Sequence, residues 1–519
     1  MARAAHADLC PSTLVTGYQR RRPEQGALYQ TVATYWPAFL ERAEQAGGLP
    51  DFVKREAEAC LDCGILERGF VHVVCPSCGF ERAVGFSCKT RGFCPSCLGR
   101  RMNDTAVHLV DRVLPDKPIR QWVCSMPFSL RYPMGYNKKL CADILSAFAS
   151  ELMHWYQLRG KHQLGLRSVN DAHTGAVTLV QRFDSALRLN LHPHTLAIDG
   201  VYVKDRKSDE LVFHALPEPT TAEVTQLAGR IAERAENVMR KHGRWVDTDS
   251  ADSEPDALSL EQPALSACYQ ASAQGVDVLG SRAGRPTLRL VTTAPALNTS
   301  AEPGAVAVVR GFNLHAKTTV DGRDRKQLER LCQYIARPPI AQERLHILDD
   351  GRLRYDMKRV WADGTRAIVL DPLDFIARLC ALVPPPYFHM TRFHGLLAPN
   401  SSLRRQVVPR RASDDAGPKE PVQLELFDVN RDCDTLGAQL PEPPTKPYTC
   451  GRHPWAWLLR RVFKIDITVC PKCQASMRVS EVVTDPDTIA RRLADAGLGP
   501  RPPPKPMRTV PGQLRLQFG

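Results

Sequence analysis

Pairs of cysteines separated by two residues constrain the fold of this chain more than any other feature. Cys75-Pro-Ser-Cys78 (the first knuckle) and Cys94-Pro-Ser-Cys97 (the second knuckle) are separated by 15 intervening residues. Each offers two thiolates from a tight turn, and two such turns facing each other close a tetrahedral zinc site. We therefore predict a module in which Zn²⁺ joins these two knuckles, with a short hairpin, residues 80–86, between them.

Further candidate ligands and a basic surface surround the two knuckles. Cys63 and Cys88 are the next candidate zinc ligands, ahead of Cys60 and His72. The segment also supplies cationic and aromatic side chains: Lys89, Arg91, Arg100, Arg101, Phe86 and Phe93. Cations neutralise phosphates, and exposed aromatic rings stack on unstacked bases. The zinc module is therefore predicted to bind DNA.

A third knuckle, Cys470-Pro-Lys-Cys473, occurs far from the other two. Cys450 and His453 are candidates to complete a second zinc site with it. A structural turn without metal is the alternative interpretation of this knuckle.

Length, charge and apolar content limit the class of protein. The chain has 519 residues, which is too long for one core and suggests about three domains. A net charge of +13 favours a polyanionic partner such as nucleic acid. No stretch approaches the ~18 apolar residues of a membrane helix, and residues 1–28 lack an apolar signal core. We therefore expect a cytoplasmic, nucleoid-associated protein whose 17 cysteines serve metal rather than disulfides.

A segment in the middle of the chain combines a strand pattern with two histidines. In residues 187–194, leucines alternate with Asn190, His192 and His194. Residues two apart point to one face of a strand, so one face is apolar and the other presents an amide and two imidazoles. Two such imidazoles can hold one divalent cation. Polar residues on a half-exposed strand are the alternative for this motif taken alone.

A predicted helix further along the chain places a tyrosine between two arginines. Apolar residues recur with helical spacing over 328–335, and Pro338 ends the helix near Arg337. At 3.6 residues per turn, Tyr334 lies beside Arg330 and Arg337. These cations would favour the phenolate form of a group whose ordinary pKa is about 10.

The two elements together indicate transfer of a DNA phosphate. Mg²⁺ or Mn²⁺ held by His192 and His194 would polarise a phosphate oxygen, and Tyr334 would attack in line. The products would be a 5′-phosphotyrosine and a free 3′-hydroxyl. His315 and Lys317 are candidates to contact the phosphate, with a polar strand face as the alternative. No P-loop motif occurs, which fits a reaction without ATP.

The order of these features resembles the rolling-circle transposases of the insertion-sequence-ninety-one family, which are HUH (His-hydrophobe-His) single-strand endonucleases. The matching segments lie within residues 60–480 and include Phe86-Ser-Cys-Lys-Thr-Arg-Gly-Phe-Cys-Pro-Ser-Cys97, Arg120-Gln-Trp-Val123, Ser185-Ala-Leu-Arg-Leu-Asn-Leu-His-Pro-His194, Leu331-Cys-Gln-Tyr-Ile-Ala-Arg-Pro-Pro-Ile340, Trp361-Ala-Asp-Gly-Thr365 and Phe393-His-Gly-Leu-Leu-Ala-Pro399. The resemblance implies an α+β fold with an antiparallel sheet and helices on one side. The His strand would be central, with the tyrosine helix facing it. It also implies nicking of one strand at an element end and transfer of single-stranded DNA.

Two departures from the family pattern affect these expectations. Pro193 replaces the usual bulky hydrophobe, so the strand is expected to be bulged or at a sheet edge there. Founding members carry two tyrosines a turn apart, whereas Tyr334 stands alone here. A second transfer would need another protomer in a homo-oligomer, resetting of the same tyrosine, or a host protein. Some relatives place a third metal ligand one turn after the tyrosine. Pro338 cannot fill that role, so Asn190 is the predicted substitute, with Asp184 second.

Composition along the chain suggests a sequence of domains. The predicted order is a helical lead-in (1–54), a zinc-binding DNA-recognition domain (55–115), a nuclease domain (116–400) with an acidic insertion at about 246–305, a linker (401–447), a zinc-knuckle segment (448–490) and a basic Pro-rich tail (491–519). Two other functions fit the chain less fully: a non-catalytic zinc-containing DNA-binding protein and a plasmid rolling-circle replication initiator. The first would not need the His pair with Tyr334, and the second is poorly separated by sequence.

Overall fold

The computed structural model describes residues 21–244, 256–292, 305–409 and 467–495. These residues divide into two compact units. The described part of the first unit, the knuckle unit, comprises residues 21–23, 63–87 and 467–495. The described part of the second, the sheet unit, comprises residues 24–62, 88–244, 256–292 and 305–409.

Helices and strands alternate irregularly along the chain. The helices are α1 (Ala27–Gln45), α2 (Asp51–Asp62), α3 (Pro95–Arg112), α4 (Phe128–Tyr136), α5 (Lys138–Leu164), α6 (Thr221–Lys241), α7 (Ala257–Glu261), α8 (Pro263–Gln274), α9 (Arg325–Ile335), α10 (Pro372–Leu382), α11 (Arg404–Val407) and α12 (Pro486–Asp495). The strands are β1 (Phe70–Val74), β2 (Glu81–Gly85), β3 (Ile119–Ser125), β4 (Gly175–Phe183), β5 (Leu189–Ile198), β6 (Gly200–Lys204), β7 (Leu211–Ala215), β8 (Leu288–Val291), β9 (Val306–Val309), β10 (Phe312–Val320), β11 (Leu345–Ile347), β12 (Leu353–Asp356), β13 (Thr365–Leu370), β14 (Thr391–Gly395) and β15 (Arg478–Val483).

A six-stranded antiparallel sheet forms the centre of the sheet unit. Its strand order is β14-β4-β5-β3-β10-β9, and every neighbouring pair is antiparallel. The strand that carries both histidines, β5, is therefore an inner strand with a partner on each side. The predicted α+β class with an antiparallel sheet is confirmed.

Helices cover both faces of this sheet, which corrects the expectation of helices on one side. Trp122 and Leu191 belong to a core that includes Phe148 on α5 and residues of α6, α8 and α10. Leu196, next along the same strand face as the histidines, belongs to another core that includes Leu328 and residues of α3. Because side chains alternate between the faces of a strand, the second core and the two imidazoles share a face. The amphipathic helices α3 and α9 cover part of that face.

A buried ion pair fixes β3 against the end of β5. Arg120 donates two parallel hydrogen bonds to Asp199, which follows β5, at 2.9 and 2.8 Å. Its remaining terminal nitrogen donates to the carbonyl of Ala316 on β10, at 2.8 Å. Bidentate pairing of this kind fixes orientation as well as distance. One arginine thus ties together three consecutive segments of the sheet.

Pro193 lies in an inner strand, so the expected sheet edge is wrong, whereas the expected irregularity lies one pair away, where the register of β4 with β5 shifts between Gln181–His192 and Phe183–Leu189. Pro193 pairs with Val180, whose N–H donates away from β5 to the carbonyl of Met390, at 2.9 Å. Val180 and Pro193 are therefore a non-hydrogen-bonded pair, in which the N–H and C=O groups of each residue point away from the partner residue. The proline nitrogen consequently faces β3. Pairing of β5 with β3 covers His194 to Ile198 and does not extend to Pro193. The sheet therefore does not need the N–H that proline lacks.

The described part of the predicted acidic insertion is built into the sheet unit. Residues 256–292 form α7, α8 and β8, and β8 pairs with β13 in a second sheet of order β11-β12-β13-β8. Leu265, Cys268 and Tyr269 of α8 are buried in the core. The small and apolar side chains of α8 account for this burial. The sequence prediction missed this helix because it used the average composition of the whole acidic stretch. The rest of the expected insertion lies outside the described residues.

The knuckle unit contains a three-stranded antiparallel sheet of order β15-β1-β2. The predicted hairpin arm is β2, which pairs with β1. Phe70 on β1 pairs with Val483 on β15 and with Gly85 on β2. The segment with the third knuckle was expected to form a domain separate from the one with the first knuckle. This expectation is corrected, because β15 of that segment pairs with β1. Cys450, His453, most of the predicted linker (residues 410–447) and residues 496–519 of the predicted tail lie outside the described residues.

Candidate active site and zinc clusters

The two histidines of β5 form a close pair on one face of the main sheet. The ring centroids of His192 and His194 are 4.9 Å apart. His194 is 5% exposed and His192 is half-buried. The geometry matches the i, i+2 spacing expected for one strand face.

Hydrogen bonds to the inner ring nitrogens determine which lone pairs remain for a metal. Nδ1 of His192 donates to the carbonyl of Asn190, at 2.9 Å, which leaves the lone pair of Nε2 outward. Nδ1 of His194 lies 2.8 Å from the amide nitrogen of Gln121. In this placement the amide nitrogen donates to Nδ1, which leaves the ring proton on Nε2, whereas the amide turned by half a turn would accept the Nδ1 proton at Oε1 and leave the Nε2 lone pair for a metal. Gln121 therefore sets the tautomer of His194, a role that sequence analysis missed.

Both imidazoles are held in the neutral form that binds metals. Burial lowers the pKa of His192, and a positive charge on Arg337 acts in the same direction. Burial, with contributions from His192 and Arg337, lowers the pKa of His194 to about 2. A neutral imidazole is the ligand form, so neither ring must lose a proton at neutral pH.

Three buried polar atoms in this region lack a hydrogen-bond partner within the described residues. They are Nε2 of His194, Oδ1 of Asn190 and Oε1 of Gln181. Gln181 pairs directly with His192 across β4 and β5, and Asn190 precedes His192 by two residues on β5. Buried polar atoms without partners are costly, and a divalent cation would satisfy a set of nitrogen and oxygen atoms. The residues present therefore fit a Mg²⁺ or Mn²⁺ site.

Asp184, the second candidate for a third ligand, is already engaged. Its carboxylate accepts hydrogen bonds from the N–H groups of Ala186 and Arg188, at 2.9 and 3.0 Å. It also forms an ion pair with the Arg188 guanidinium at 2.6 Å. This carboxylate shapes the turn before β5, and Asn190 and Gln181 are the better-placed oxygens.

Tyr334 lies in the last turn of α9 and faces the histidine pair. Its ring centroid is 6.5 Å from that of His194, and the two planes are nearly perpendicular at 85°. The Tyr334 side chain is 43% exposed. Asp324 caps the start of α9 by accepting from the N–H of Gln327, at 2.9 Å, and Cys332 is among the residues that α9 buries against the sheet face. The structure thus brings together the tyrosine and the histidine pair, 140 residues apart in the chain.

Two cations border the tyrosine ring, and sequence analysis identified one of them. Cζ of Arg337 lies 4.3 Å from the ring centroid of Tyr334, and Nζ of Lys358 lies 5.0 Å from it. Arg330, the other predicted neighbour, is exposed on α9. Lys358 follows β12 and has no helical spacing to Tyr334, so no pattern in the sequence pointed to it.

Gln181 ties the last turn of α9 to the sheet. Its amide nitrogen donates to the carbonyl of Ile335 at 2.7 Å and approaches that of Tyr334 at 3.4 Å. Carbonyl groups at the end of a helix lack helical partners and need donors of this kind. Sequence analysis missed Gln181 because its role depends on the pairing of β4 with β5.

Two other tyrosines considered as nucleophiles are buried. Tyr202 is 4% exposed and Tyr355 is 1% exposed, and burial raises the pKa of both phenols. The Tyr355 hydroxyl also donates to the carbonyl of Pro339, at 3.3 Å. Neither ring is accessible to a DNA strand in this structure.

His315 and Lys317 lie on β10, two strands from the histidine pair. Val123 pairs with His194 on one side and with His315 on the other. His315 is therefore separated from His194 by two strand spacings, about 10 Å. Both His315 and Lys317 are exposed. They lie to one side of the histidine pair on the sheet, and a role for either residue in contacting the phosphate stays a prediction.

The knuckle unit contains a cluster of four thiols that differs from the predicted pairing of knuckles. Its members, all within 4.8 Å of one another, are Cys75, Cys78, Cys470 and Cys473. The first knuckle thus meets the third rather than the second. Burial opposes ionisation of Cys75, but hydrogen bonds from the N–H groups of Cys78 and Ser77 and from the thiols of Cys473 and Cys78 together lower the pKa of this thiol to about 6.

The second knuckle lies in the sheet unit together with Cys88, which was predicted as a further zinc ligand. The sulfurs of Cys88, Cys94 and Cys97 lie within 4.8 Å of one another, and those of Cys88 and Cys97 are 3.4 Å apart. Cys94 is the N-cap of α3, so the start of this helix fixes the turn. The assignment of Cys63 as a zinc ligand stays a prediction. His72 is engaged through both ring nitrogens, with Ser480 at 2.8 Å and Glu81 at 3.1 Å.

The residues predicted to contact DNA differ in their surroundings. Lys89 is exposed, whereas Arg100 and Arg101 are half-buried. The Arg91 guanidinium donates to the carbonyl of Phe388, at 3.4 Å. Phe93 was expected to be available for stacking on bases, and this is wrong, because it is fully buried against Trp36.

Comparisons with known proteins agree with this arrangement. A family model described as a putative transposase matches residues 175–405, and one described as a transposase zinc-binding domain matches residues 31–126. The transposase for insertion sequence element IS801 of Pseudomonas savastanoi pv. phaseolicola is 24% identical over 369 residues, which cover 70% of this chain and 73% of that protein. No solved structure matches the chain.

These matches define the chain as a transposase, a class of protein that acts on DNA. A match to a zinc-binding domain followed by a match to a transposase domain is the order that the resemblance to the insertion-sequence-ninety-one family predicted. The zinc-binding match begins within α1, so it includes residues 31–54 of the predicted helical lead-in. Within the described residues, no helix is long and apolar enough to cross a membrane.

Proposed function

We propose that the chain nicks and rejoins single-stranded DNA at the ends of its element through a 5′-phosphotyrosine intermediate, as in rolling-circle transposition. The observation that carries this proposal is the Tyr334 ring, 6.5 Å from the His194 ring on the histidine face of the sheet. An exposed phenol beside a buried imidazole pair suits cleavage of a phosphodiester. A non-catalytic DNA-binding protein has no use for this combination.

The histidine pair is proposed to hold Mg²⁺ or Mn²⁺, with Asn190 or Gln181 as third ligand. The support is the set of unpartnered buried atoms and the neutral state of both imidazoles. When bound, the ion would polarise a non-bridging oxygen of the scissile phosphate. The carbonyl end of α9, which carries a partial negative charge, also favours a cation nearby.

The nucleophilic step is assigned to Tyr334. Its Oη forms a bond to phosphorus, the bond from phosphorus to the 3′-oxygen breaks, and that oxygen takes up a proton as the 3′-hydroxyl. The phenol proton leaves to solvent, to which the ring is exposed. Arg337 and Lys358 favour the phenolate and neutralise phosphate charge. The phosphotyrosine retains the phosphodiester energy, so rejoining needs no ATP.

Binding of the DNA strand is assigned to basic residues outside this centre. Lys317 lies on the exposed part of β10, and Lys89 is exposed just before the second knuckle. Arg100 and Arg101 on α3 are further candidates. A plasmid replication initiator would use the same chemical step, but the similarity to a transposase favours transposition.

The proposal is tested with a single-stranded oligonucleotide from the element's own end, incubated with purified protein and Mn²⁺. We expect a covalent protein–DNA adduct that resists denaturation. Tyr334→Phe should abolish it, because the ring remains but the attacking oxygen is gone. Tyr355→Phe is the matched control, since it removes a buried hydroxyl from the same unit and should leave the adduct. Full adduct formation by Tyr334→Phe would contradict the assignment.

A further inference from the structure

We propose that the first and third knuckles together bind one zinc ion, so that the two ends of the described knuckle unit are joined through metal. The ligands are Cys75, Cys78, Cys470 and Cys473. This zinc site differs from the predicted one, and half of its ligands lie outside the residues matched by the zinc-binding family model.

The two knuckles have the same backbone turn. In the first, the N–H of Cys75 donates to the carbonyl of Phe80 at 2.8 Å, and the N–H of Gly79 donates to that of Cys75 at 2.9 Å. In the third, the N–H of Cys470 donates to Ala475 at 2.8 Å, and that of Gln474 donates to Cys470 at 3.0 Å. Gly79 and Gln474 both have positive φ, at 68° and 62°. Two equivalent turns therefore present two thiols each.

The sulfur positions suit tetrahedral zinc. The sulfurs of Cys75 and Cys473 are 3.4 Å apart, and those of Cys78 and Cys470 are 3.5 Å apart. Zinc–sulfur bonds of about 2.3 Å place tetrahedral sulfurs about 3.8 Å apart. All four sulfurs lie within 4.8 Å of one another, so an ion at their centre needs only small adjustments.

The strands beneath the cluster support the same pairing. β15 follows the third knuckle and pairs with β1, which leads into the first knuckle. Cys75 and Cys470 are both fully buried in a small core with Val73 and Met477. This core holds few apolar side chains, and small units of this kind depend on metal for stability. Zinc would therefore stabilise a contact between distant segments, in which Cys75 and Cys473 are 398 residues apart in the chain.

The cluster also brings cations from both segments to one aromatic ring. Nζ of Lys472, inside the third knuckle, lies 5.4 Å from the ring centroid of Phe80. Cζ of Arg82, on β2, lies 5.6 Å from the same centroid. The positive charge of these residues offsets part of the negative charge of four thiolates. The contact of Lys472 with Phe80 therefore adds a link between the segments that carry the two knuckles.

The proposal is tested by alkylation of individual cysteines in the full-length protein, with and without zinc, read by mass spectrometry. In the wild-type chain, zinc should protect the thiols of both knuckles together. Cys75→Ser with Cys78→Ser should expose Cys470 and Cys473 to alkylation and remove one zinc ion per chain. The reciprocal substitutions at the third knuckle should expose the thiols of the first.

A variant of another cysteine cluster provides the control. Cys88→Ser should leave Cys470 protected, because Cys88 belongs to a different group of thiols. Protection of the third knuckle that survives loss of the first would overturn the proposal, since it would assign other ligands to that knuckle. Equal reactivity of Cys470 and Cys473 with and without zinc in the wild-type chain would also overturn it, whatever the stability of the variants.

Discussion

At the scale of single residues, Tyr334 differs from Tyr202 and Tyr355 in what surrounds its ring. It is exposed and bordered by an imidazole and two cations, whereas the other two rings are buried. The alternation in β5 and the helical spacing in α9 were visible in the sequence. Lys358 was not, because it reaches the ring through the path of the chain after β12.

The cations beside Tyr334 give a first prediction at this scale. Arg337→Gln and Lys358→Gln should each lower the rate of adduct formation about tenfold, which corresponds to roughly 1.4 kcal/mol of lost transition-state stabilisation. Loss of either positive charge weakens the electrostatic stabilisation of the phenolate and of the negative charge on the phosphate. Single-turnover adduct formation measures this effect. Arg359→Gln, which changes the exposed residue next to Lys358, is the control, and an equal loss there would argue for a general charge effect.

The histidine pair gives a prediction about pH. Burial lowers the pKa of both imidazoles, in His194 to about 2. An ordinary imidazole takes up a proton below about pH 6.5 and then cannot bind metal. With lowered pKa values the neutral form persists, so the Mn²⁺ affinity should change little between pH 8 and pH 6. Calorimetric titration at several pH values measures it, and a loss centred near pH 6.5 would indicate rings that titrate as in water.

At the scale of elements, one side chain couples the histidine strand to the tyrosine helix. Gln181 pairs with His192 across the sheet, and its amide nitrogen holds the carbonyl of Ile335. Its oxygen has no partner among the described residues. The sequence predicted that a tyrosine helix faces a histidine strand, but it could not show what joins them. That contact depends on the register of β4 with β5.

Substitution of Gln181 should therefore affect both elements. Gln181→Leu keeps a similar side-chain volume but removes the donor to α9 and the candidate ligand oxygen. We expect Mn²⁺ affinity to fall roughly tenfold or more and amide hydrogen exchange at the end of α9 to increase. Gln181→Glu should retain metal binding but not the bond to α9. Unchanged metal affinity in the leucine variant would leave Asn190 as the third ligand.

At the scale of the whole molecule, the sequence predicted zinc knuckles correctly but paired them wrongly. The first and second knuckles are close in the chain, and spacing favoured their association. Cys473 of the third knuckle is 398 residues from Cys75 of the first, a separation across which spacing carries no information. Pairing of β15 with β1 decides the outcome, and the short, mixed pattern of β15 did not identify it as a partner of β1.

Removal of zinc provides a prediction at this scale. Chelation should weaken binding of the element-end oligonucleotide, because the knuckles position cationic side chains such as Lys472 and Arg82. Fluorescence anisotropy in metal-free and zinc-loaded protein measures the change, with Mg²⁺ held constant. Equal affinity in both forms would show that the zinc module does not bind DNA.

The central claim concerns the atom that becomes attached to DNA. Peptide mapping by mass spectrometry of the trapped adduct identifies that atom's residue directly. The expected result is a 5′-phosphate carried by the peptide that contains Tyr334. A phosphate on any other side chain, or the absence of an adduct with an intact element end and Mn²⁺ present, would contradict the account.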